Sequence, residues 1–455
     1  MPYVLFIMLF VGIGFSQLMW QRNYGGPDLE EGFCVQQTTD GGYIIAGMSA
    51  SFGNLYQVYL IKTDSMGDTA WSRTYGGASY EYGYSVHQTT DGGYIIVGFT
   101  DSFGNGRQVY LIKTDSFGDT LWTKTYGDTL TEYGYAVQQT TDGGYIIVGL
   151  TNSFGNGNQV YLIKTDSLGD TLWTKTYGGP GRDRGFSVQQ TADGGYIIAG
   201  DFNYPLNYDP VALLKTDSLG DTLWTKTYGT EWYFGRSVQQ TLDGGYVIAG
   251  YNNSGGAYLV KTDSLGDTLW TKVIYWEGGA IESYCVRQTL DGGYVMAGKG
   301  LAPYEYYYFI LIKTDSLGDT LWIKTYGTGM TFFGARCVQQ TTDGGYILVG
   351  TNDALGNGSQ IWLIKTDSLG NVGIAEERQI RRLLSTSQPI VSPNPFVSFT
   401  KIIGYEKERF ILYDVSGRQV GSYYGDKIGF GLTAGVYFIV PEDKSFKPMR
   451  VVKVK

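Results

Sequence analysis

The phrase Q-T-x-D-G-G-Y recurs seven times, with its aspartate at Asp40, Asp91, Asp142, Asp193, Asp243, Asp291 and Asp343. A period of about 50 residues is the length of a propeller blade or a solenoid unit, and such repetition outranks any local signal. Each period holds four strand-like runs. In the third repeat they are 135–140 (a), 145–150 (b), 160–165 (c) and 171–177 (d). The runs are β-branched and aromatic. The breaks between them are Asp-Gly and Gly-Gly, the chemistry that tight hairpins require. Four antiparallel strands per unit, repeated radially, make a propeller.

The ends of the chain discriminate between a ring and a solenoid. The seventh repeat runs only as far as Lys365-Thr366-Asp367-Ser368-Leu369-Gly370-Asn371 and lacks its d run. A matching run stands at the other end, 18–24 (L-M-W-Q-R-N-Y), like 172–177 (L-W-T-K-T-Y). A solenoid has polar capping units and no use for a split repeat. A ring closed by its own N-terminal strand leaves no unpaired edge. The expected fold is all-β: a seven-bladed β-propeller over 17–373, closed by an N-terminal strand. Residues 1–16 read as a signal peptide, apolar and too short to span a bilayer. After a polar linker, 374–390, residues 391–455 read as a small β-sandwich with a hairpin turn at Ser416-Gly417.

Two resemblances extend this. The unit K-T-D-S-x-G-D-T-x-W resembles the repeats of quinoprotein-type propellers. Its tryptophan recurs at Trp71, Trp122, Trp173, Trp224, Trp270 and Trp322, with Trp20 as the seventh. That resemblance implies only fold, a tryptophan docking between blades, and nothing in the sequence indicates a quinone or other cofactor. At the C-terminus, S-P-N-P-F (392–396), L-Y-D-V-S-G-R-Q-V, L-T-A-G-V-Y-F-I and a terminal R-V-V-K-V-K resemble the type A sorting domain of type IX secretion. The resemblance implies export through the periplasm, recognition of 391–455 by that machinery, and release or anchoring at the outer surface.

Chemistry is sparse. The chain has one histidine, His87, and three cysteines, Cys34, Cys285 and Cys337. The cysteines stand just before the strand-a valine, where other repeats carry Ser85, Ala136, Ser187 and Ser237, so they read as small core residues near the axis. Asp64 and Asp68, with their repeats, offer too few oxygens for calcium and read as turn residues. A net charge of -9 without a basic stripe argues against nucleic acid. Neither a metal site nor a catalytic set is expected, and a monomeric binding or adhesion module for a glycan or a surface protein is the leading class. A purely structural surface protein is the second. A glycoside hydrolase is the third, with Glu277 and Glu305 as its carboxylates.

The a–b and c–d turns share one end of each antiparallel unit and hardly vary. The b–c loops and d–a connections share the other end and do vary, which is where binding is usually placed. The expected patch there is Tyr204, Trp232, Tyr233, Tyr275, Trp276, Glu277, Tyr304, Glu305 and Tyr306. Flat rings with polar tips suit sugars or protein partners. Glu30, Glu81, Glu132 and Asp183, at the entry to strand a, read either as solvated carboxylates near a turn or as an acidic arc at the channel mouth, able to attract a cation or a basic group.

Overall fold

The computed structural model describes residues 19–155, 157–202, 210–229, 233–302, 306–327, 334–353, 358–372, 391–392, 398–402, 409–429, 431–441 and 449–454. The signal-peptide and linker expectations lie outside these residues. The chain divides into two compact units, Met1–Gly373 and Ile374–Lys455. Among the described residues there is no helix long and apolar enough to cross a membrane.

The first unit consists of repeated four-stranded antiparallel sheets, seven among its described residues, each in the order a-b-c-d. In the third repeat the strands are Glu132–Gln139, Tyr145–Thr151, Gln159–Thr165 and Thr171–Tyr177. Strands b and c are buried along their whole length, while d alternates between half-buried and exposed. Two covered faces explain the unbroken apolar runs of b and c. Strand a begins three residues earlier than its expected start at Tyr135. It carries a bulge at Tyr135, where the register shifts between Gly134 and Ala136.

The seventh sheet is assembled from both ends of the unit. Trp20–Tyr24 pairs antiparallel with Gln360–Thr366, from Trp20 opposite Lys365 to Tyr24 opposite Ile361. Contacts between sheets follow chain order and then return to the start. Trp122 lies edge-on to Tyr145 at 5.9 Å, Trp322 to Tyr346 at 6.1 Å, and Trp20 to Tyr43 at 5.6 Å. The tryptophan sits on the glycine of the next c–d turn. A Cβ at Gly67 (φ 79°) would stand 2.6 Å from the Trp20 ring, so the turn needs glycine both for its dihedral and for this approach. The Thr342 N–H donates to Gln37 Oε1 at 2.9 Å, tying the last sheet to the first.

The invariant end is held by one device, repeated. Lys164, on strand c, reaches Asp142 of the a–b turn at 2.9 Å and donates to the Thr165 carbonyl at 2.8 Å. All seven repeats have this pair, with the lysine nearly buried in each. Burial by itself raises the Asp142 carboxyl. Lys164, Thr140 and the Gly144 amide outweigh it and hold the group at about 2. In the c–d turn, Asp166 Oδ1 accepts the Leu168 and Asp170 amides at 2.9 and 2.8 Å, which is the turn role expected of this aspartate.

The second unit has a four-stranded antiparallel sheet of Gln419–Tyr424, Arg409–Asp414, Gly435–Pro441 and Met449–Lys453, in that order. A short pair, Val391–Ser392 with Lys401–Ile402, accompanies it. Ile402, Phe410, Leu412, Ile428, Tyr437, Ile439 and Val451 form its core. The expected hairpin turn is present, with Gly417 at φ 81°.

Candidate functional site: the axial opening on the variable face

Every repeat has a bulge in strand a, and the bulged residues are Phe33, Tyr84, Tyr135, Phe186, Arg236, Tyr284 and Arg336. A bulge re-aims its side chain out of the pleat. Here the re-aimed groups meet from one repeat to the next. Ring centroids lie 5.0 Å apart for Phe33–Tyr84, 5.5 Å for Tyr84–Tyr135 and 5.2 Å for Tyr135–Phe186. The Arg236 guanidinium then lies 4.2 Å from the Phe186 centroid, and that of Arg336 4.6 Å from Tyr284. All seven side chains are half-buried. The result is a collar of rings and guanidinium groups toward the variable end.

Beside it, among the second to fourth repeats, is a pocket of about 400 Å³. Tyr84, Tyr133 and Tyr135 supply its flat walls, and the last two are stacked within 9° at 5.7 Å. Asn152, Arg182 and Arg184 also line it. Asn152 Oδ1 accepts the Thr131 amide at 2.9 Å, which leaves its NH2 as a donor. Arg184 pairs with the buried Asp201 at 2.6 Å, but its buried Nε has no hydrogen-bond partner among the described residues. Arg182 is exposed and belongs to no ion pair among those residues. Burial pushes the Tyr135 phenol up to about 12, so its hydroxyl remains a donor at physiological pH. Rings flanked by amide and cationic donors are equipped to hold a planar or sugar-like ligand bearing acceptor oxygens.

No family model and no curated protein matches this chain. Solved structures similar to it include Sqt1 from Chaetomium thermophilum, 8% identical, covering 74% of this chain and 82% of that one at a TM-score of 0.45. The same protein bound to the N-terminus of ribosomal protein L10 is 10% identical, with 77% and 100% covered and a TM-score of 0.47. A protein of unknown function from Dyadobacter fermentans is 11% identical, with 78% and 99% covered and a TM-score of 0.44. At these values none bears on function.

The acidic arc requires a correction. Glu30, Glu81, Glu132 and Asp183 are fully buried (0% exposed) and cannot face solvent at a channel mouth. Each ties the preceding d–a connection to the sheet. Glu81 accepts Thr100 Oγ1 and Gln57 Nε2, both at 2.9 Å, and the Gly77 amide at 3.1 Å. Asp183 accepts the Gly179 amide at 2.8 Å. Their oxygens are committed to loop geometry, and among the described residues no group of three or more His, Cys, Asp or Glu could hold a metal ion.

Of the expected aromatic patch, Tyr204, Trp232, Tyr304 and Glu305 lie outside the described residues. So does any distance from Glu277 to Glu305. Tyr306 begins a strand, Tyr306–Thr314. Tyr233 is half-buried with its ring 4.4 Å from that of Tyr258. Trp276 is half-buried against the fifth and sixth sheets and 5.8 Å from Tyr308. Tyr275 and Glu277 are exposed. The described rings of that patch thus divide into two that pack and one that is free. The collar residues look in the sequence like ordinary strand a, and Asn152 and Arg182 of the pocket like ordinary polar loop residues. The available signal was an aromatic or Arg between a small residue and the strand-a Gly, Ser or Ala in every repeat.

The axis itself is lined by the small residues Cys34, Ser85, Ala136, Ser187 and Cys337, as their size requires. Cys337 Sγ donates to the Val35 carbonyl at 3.6 Å and Cys285 Sγ to that of Val338 at 3.6 Å, each reaching the next repeat. The three cysteines are free thiols. Contact with the Cys337 sulfur, with Cys285 as donor, and then burial push the Cys285 thiol well up.

Proposed function

We propose that this chain is an exported binding module: a closed seven-bladed β-propeller that captures ligand at the collar pocket on its variable face, carried outward by a type IX sorting domain at 391–455. The carrying observation is the pocket walled by Tyr84, Tyr133 and Tyr135 and lined by Asn152, Arg182 and Arg184, with the Asn152 NH2 and the exposed Arg182 guanidinium as its donors. A purely structural ring has no need of that donor set. Closure is supported by the split seventh sheet and by repeat-to-repeat bonds that return to the start. The ligand class this chemistry fits is a glycan with acidic or acceptor-rich sugars. No catalytic role is assigned.

The test is an array of glycans and polysaccharides probed with wild type, Tyr133→Ala and Arg182→Ala. Binding should be lost in the first and weakened about tenfold in the second, with Arg182→Ala melting as wild type does because that side chain is exposed. Equal binding by all three would refute the pocket. Export is read in the same host. Truncation before residue 391 should leave a folded propeller in the periplasm, and normal surface delivery would refute the sorting assignment.

A further inference from the structure

Two residues after the ring of small residues, strand a carries Gln36, His87, Gln138, Gln189, Gln239, Arg287 and Gln339. All seven line one axial cavity of about 230 Å³, several times the ~30 Å³ of a water molecule. The five glutamines are oriented by the fold. Each Oε1 accepts a backbone N–H of the following repeat at 2.7 Å: Gln36 from Gln88, Gln138 from Gln190, Gln189 from Gln240, Gln239 from Gln288, and Gln339 from Gln37. A carboxamide whose oxygen is fixed in this way has only its NH2 to offer the cavity.

Arg287 adds a full positive charge. Its Nη1 donates to the Val286 carbonyl at 2.7 Å and to Ser237 Oγ at 3.4 Å, and no carboxylate pairs with it among the described residues. The remaining N–H groups of its fork are uncommitted there. His87 Nδ1–H donates to the Gln88 carbonyl at 3.2 Å, so that nitrogen carries the proton. Burial, and then the nearby Arg287 charge, hold the imidazole below its ordinary value against that bond. The other cavity walls are valines and the small residues, including Cys34 and Cys337, and they bring no carboxylate.

We propose that this axial cavity is an anion site, distinct from the collar pocket, in which Arg287 and the five glutamine NH2 groups hold a small oxyanion. The chemistry selects a compact group with oxygens on all sides, such as sulfate, phosphate or a carboxylate. A converging set of neutral donors and one guanidinium satisfies it, as elsewhere anions are met by convergent N–H groups. The site does not depend on the glycan reading, because it uses none of the pocket's residues.

The test uses sulfate on the full-length, untagged protein, with sodium chloride at matched ionic strength as the control. Sulfate should raise the melting temperature of wild type above the chloride control, with a saturable midpoint. Arg287→Gln installs the residue that most repeats carry, so it should fold, and its midpoint should weaken about tenfold or more. Arg287→Lys should recover part of the response. A second readout is available because His87 is the only histidine. A bound anion offsets the Arg287 charge, so sulfate should raise the imidazole pKa followed by NMR in wild type, and less in Arg287→Gln. A sulfate effect on melting of equal size in wild type and Arg287→Gln would be general salting and would overturn the proposal. So would a His87 titration that sulfate does not move in wild type.

Discussion

Removing residues 1–24 should strip the outer strand from the seventh sheet and open the seam between the last repeat and the first. The loss can be built up from contacts. Trp20 is 3% exposed, lies edge-on to Tyr43, and donates through Nε1 to the Ser65 carbonyl at 3.2 Å. Truncating a buried tryptophan costs ~3–5 kcal/mol. The Tyr24 hydroxyl donates to the Gly67 carbonyl at 2.7 Å, worth ~1 kcal/mol net. The ladder from Trp20 to Tyr24 adds further to this. The sum approaches the ~5–15 kcal/mol of a whole domain. The deletion should therefore abolish a single cooperative transition, and the bared edge of Gln360–Thr366 should drive association. Trp20→Ala is the graded version. With an unfolding entropy of ~2.1 cal/mol/K per residue over ~350 residues, ~3–5 kcal/mol lowers the melting temperature by ~4–7 °C. Trp122→Ala is the internal comparison, since its ring makes the same edge contact with Tyr145. Calorimetry and size-exclusion chromatography report both effects. A deletion variant that stays monomeric and melts within ~1 °C of wild type would show that the first strand is dispensable, and the ring-closure argument would fail.

Acid should destabilise the repeated sheets of the first unit through their lysine-paired aspartates. Asp40, Asp91, Asp142 and Asp193 are held at about 2, below the ~3.9 of an unfolded chain. A depressed carboxyl contributes stability that is complete above the unfolded value and lost as pH falls through the folded one, so melting should decline between about pH 4 and pH 2 and change little from this source above pH 5. Melting that is flat down to pH 2 would contradict this. Trp276→Ala should lower the melting temperature by a few degrees, because the ring packs against the fifth and sixth sheets, whereas exposed Tyr275→Ala should leave it within ~1 °C. The same small shift in both variants would mean that Trp276 is not packing.

What was legible in the sequence was whatever repeats at constant chemistry. The spacing of T-D-G-G-Y and K-T-D-S-x-G-D-T-x-W placed strands b, c and d nearly to the residue, because tight turns closed by one positive-φ glycine and unbroken apolar runs leave little choice of register. Strand a was placed short at its start, since Glu132-Tyr133-Gly134 looks like a polar connection containing glycine. The glycine answers a close approach from the neighbouring repeat. A Cβ at Gly134 would stand 2.6 Å from Val97 of the preceding repeat. The lysine–aspartate pair was visible in principle, as a charged residue recurring within a buried strand, but a lysine in K-T-D reads as the start of a turn until the register carries its head back to the a–b loop.

The site was harder to see, for a reason that concerns bulges in general. A period-two pattern assigns each strand residue to one face or the other, and a bulged residue belongs to neither. Phe33, Tyr84, Tyr135 and Phe186 therefore look in the sequence like further apolar residues of strand a, when their common property is to be pushed out of the pleat against the next repeat. The loops drew attention instead because they vary. Yet variation also occurs at the bulge, where aromatic rings give way to Arg236 and Arg336 in the fifth and seventh repeats. A ring that served packing alone would be expected to keep one residue type at a position used seven times under the same geometry. Guanidinium groups among rings, at a position whose backbone geometry does not diverge, support the binding role proposed for the collar. By the same reasoning Arg287, the one cation in a row of glutamines and a histidine, marks the axial cavity. In both places the repeat supplies its own control, because the neighbouring copies show what the position needs for folding alone.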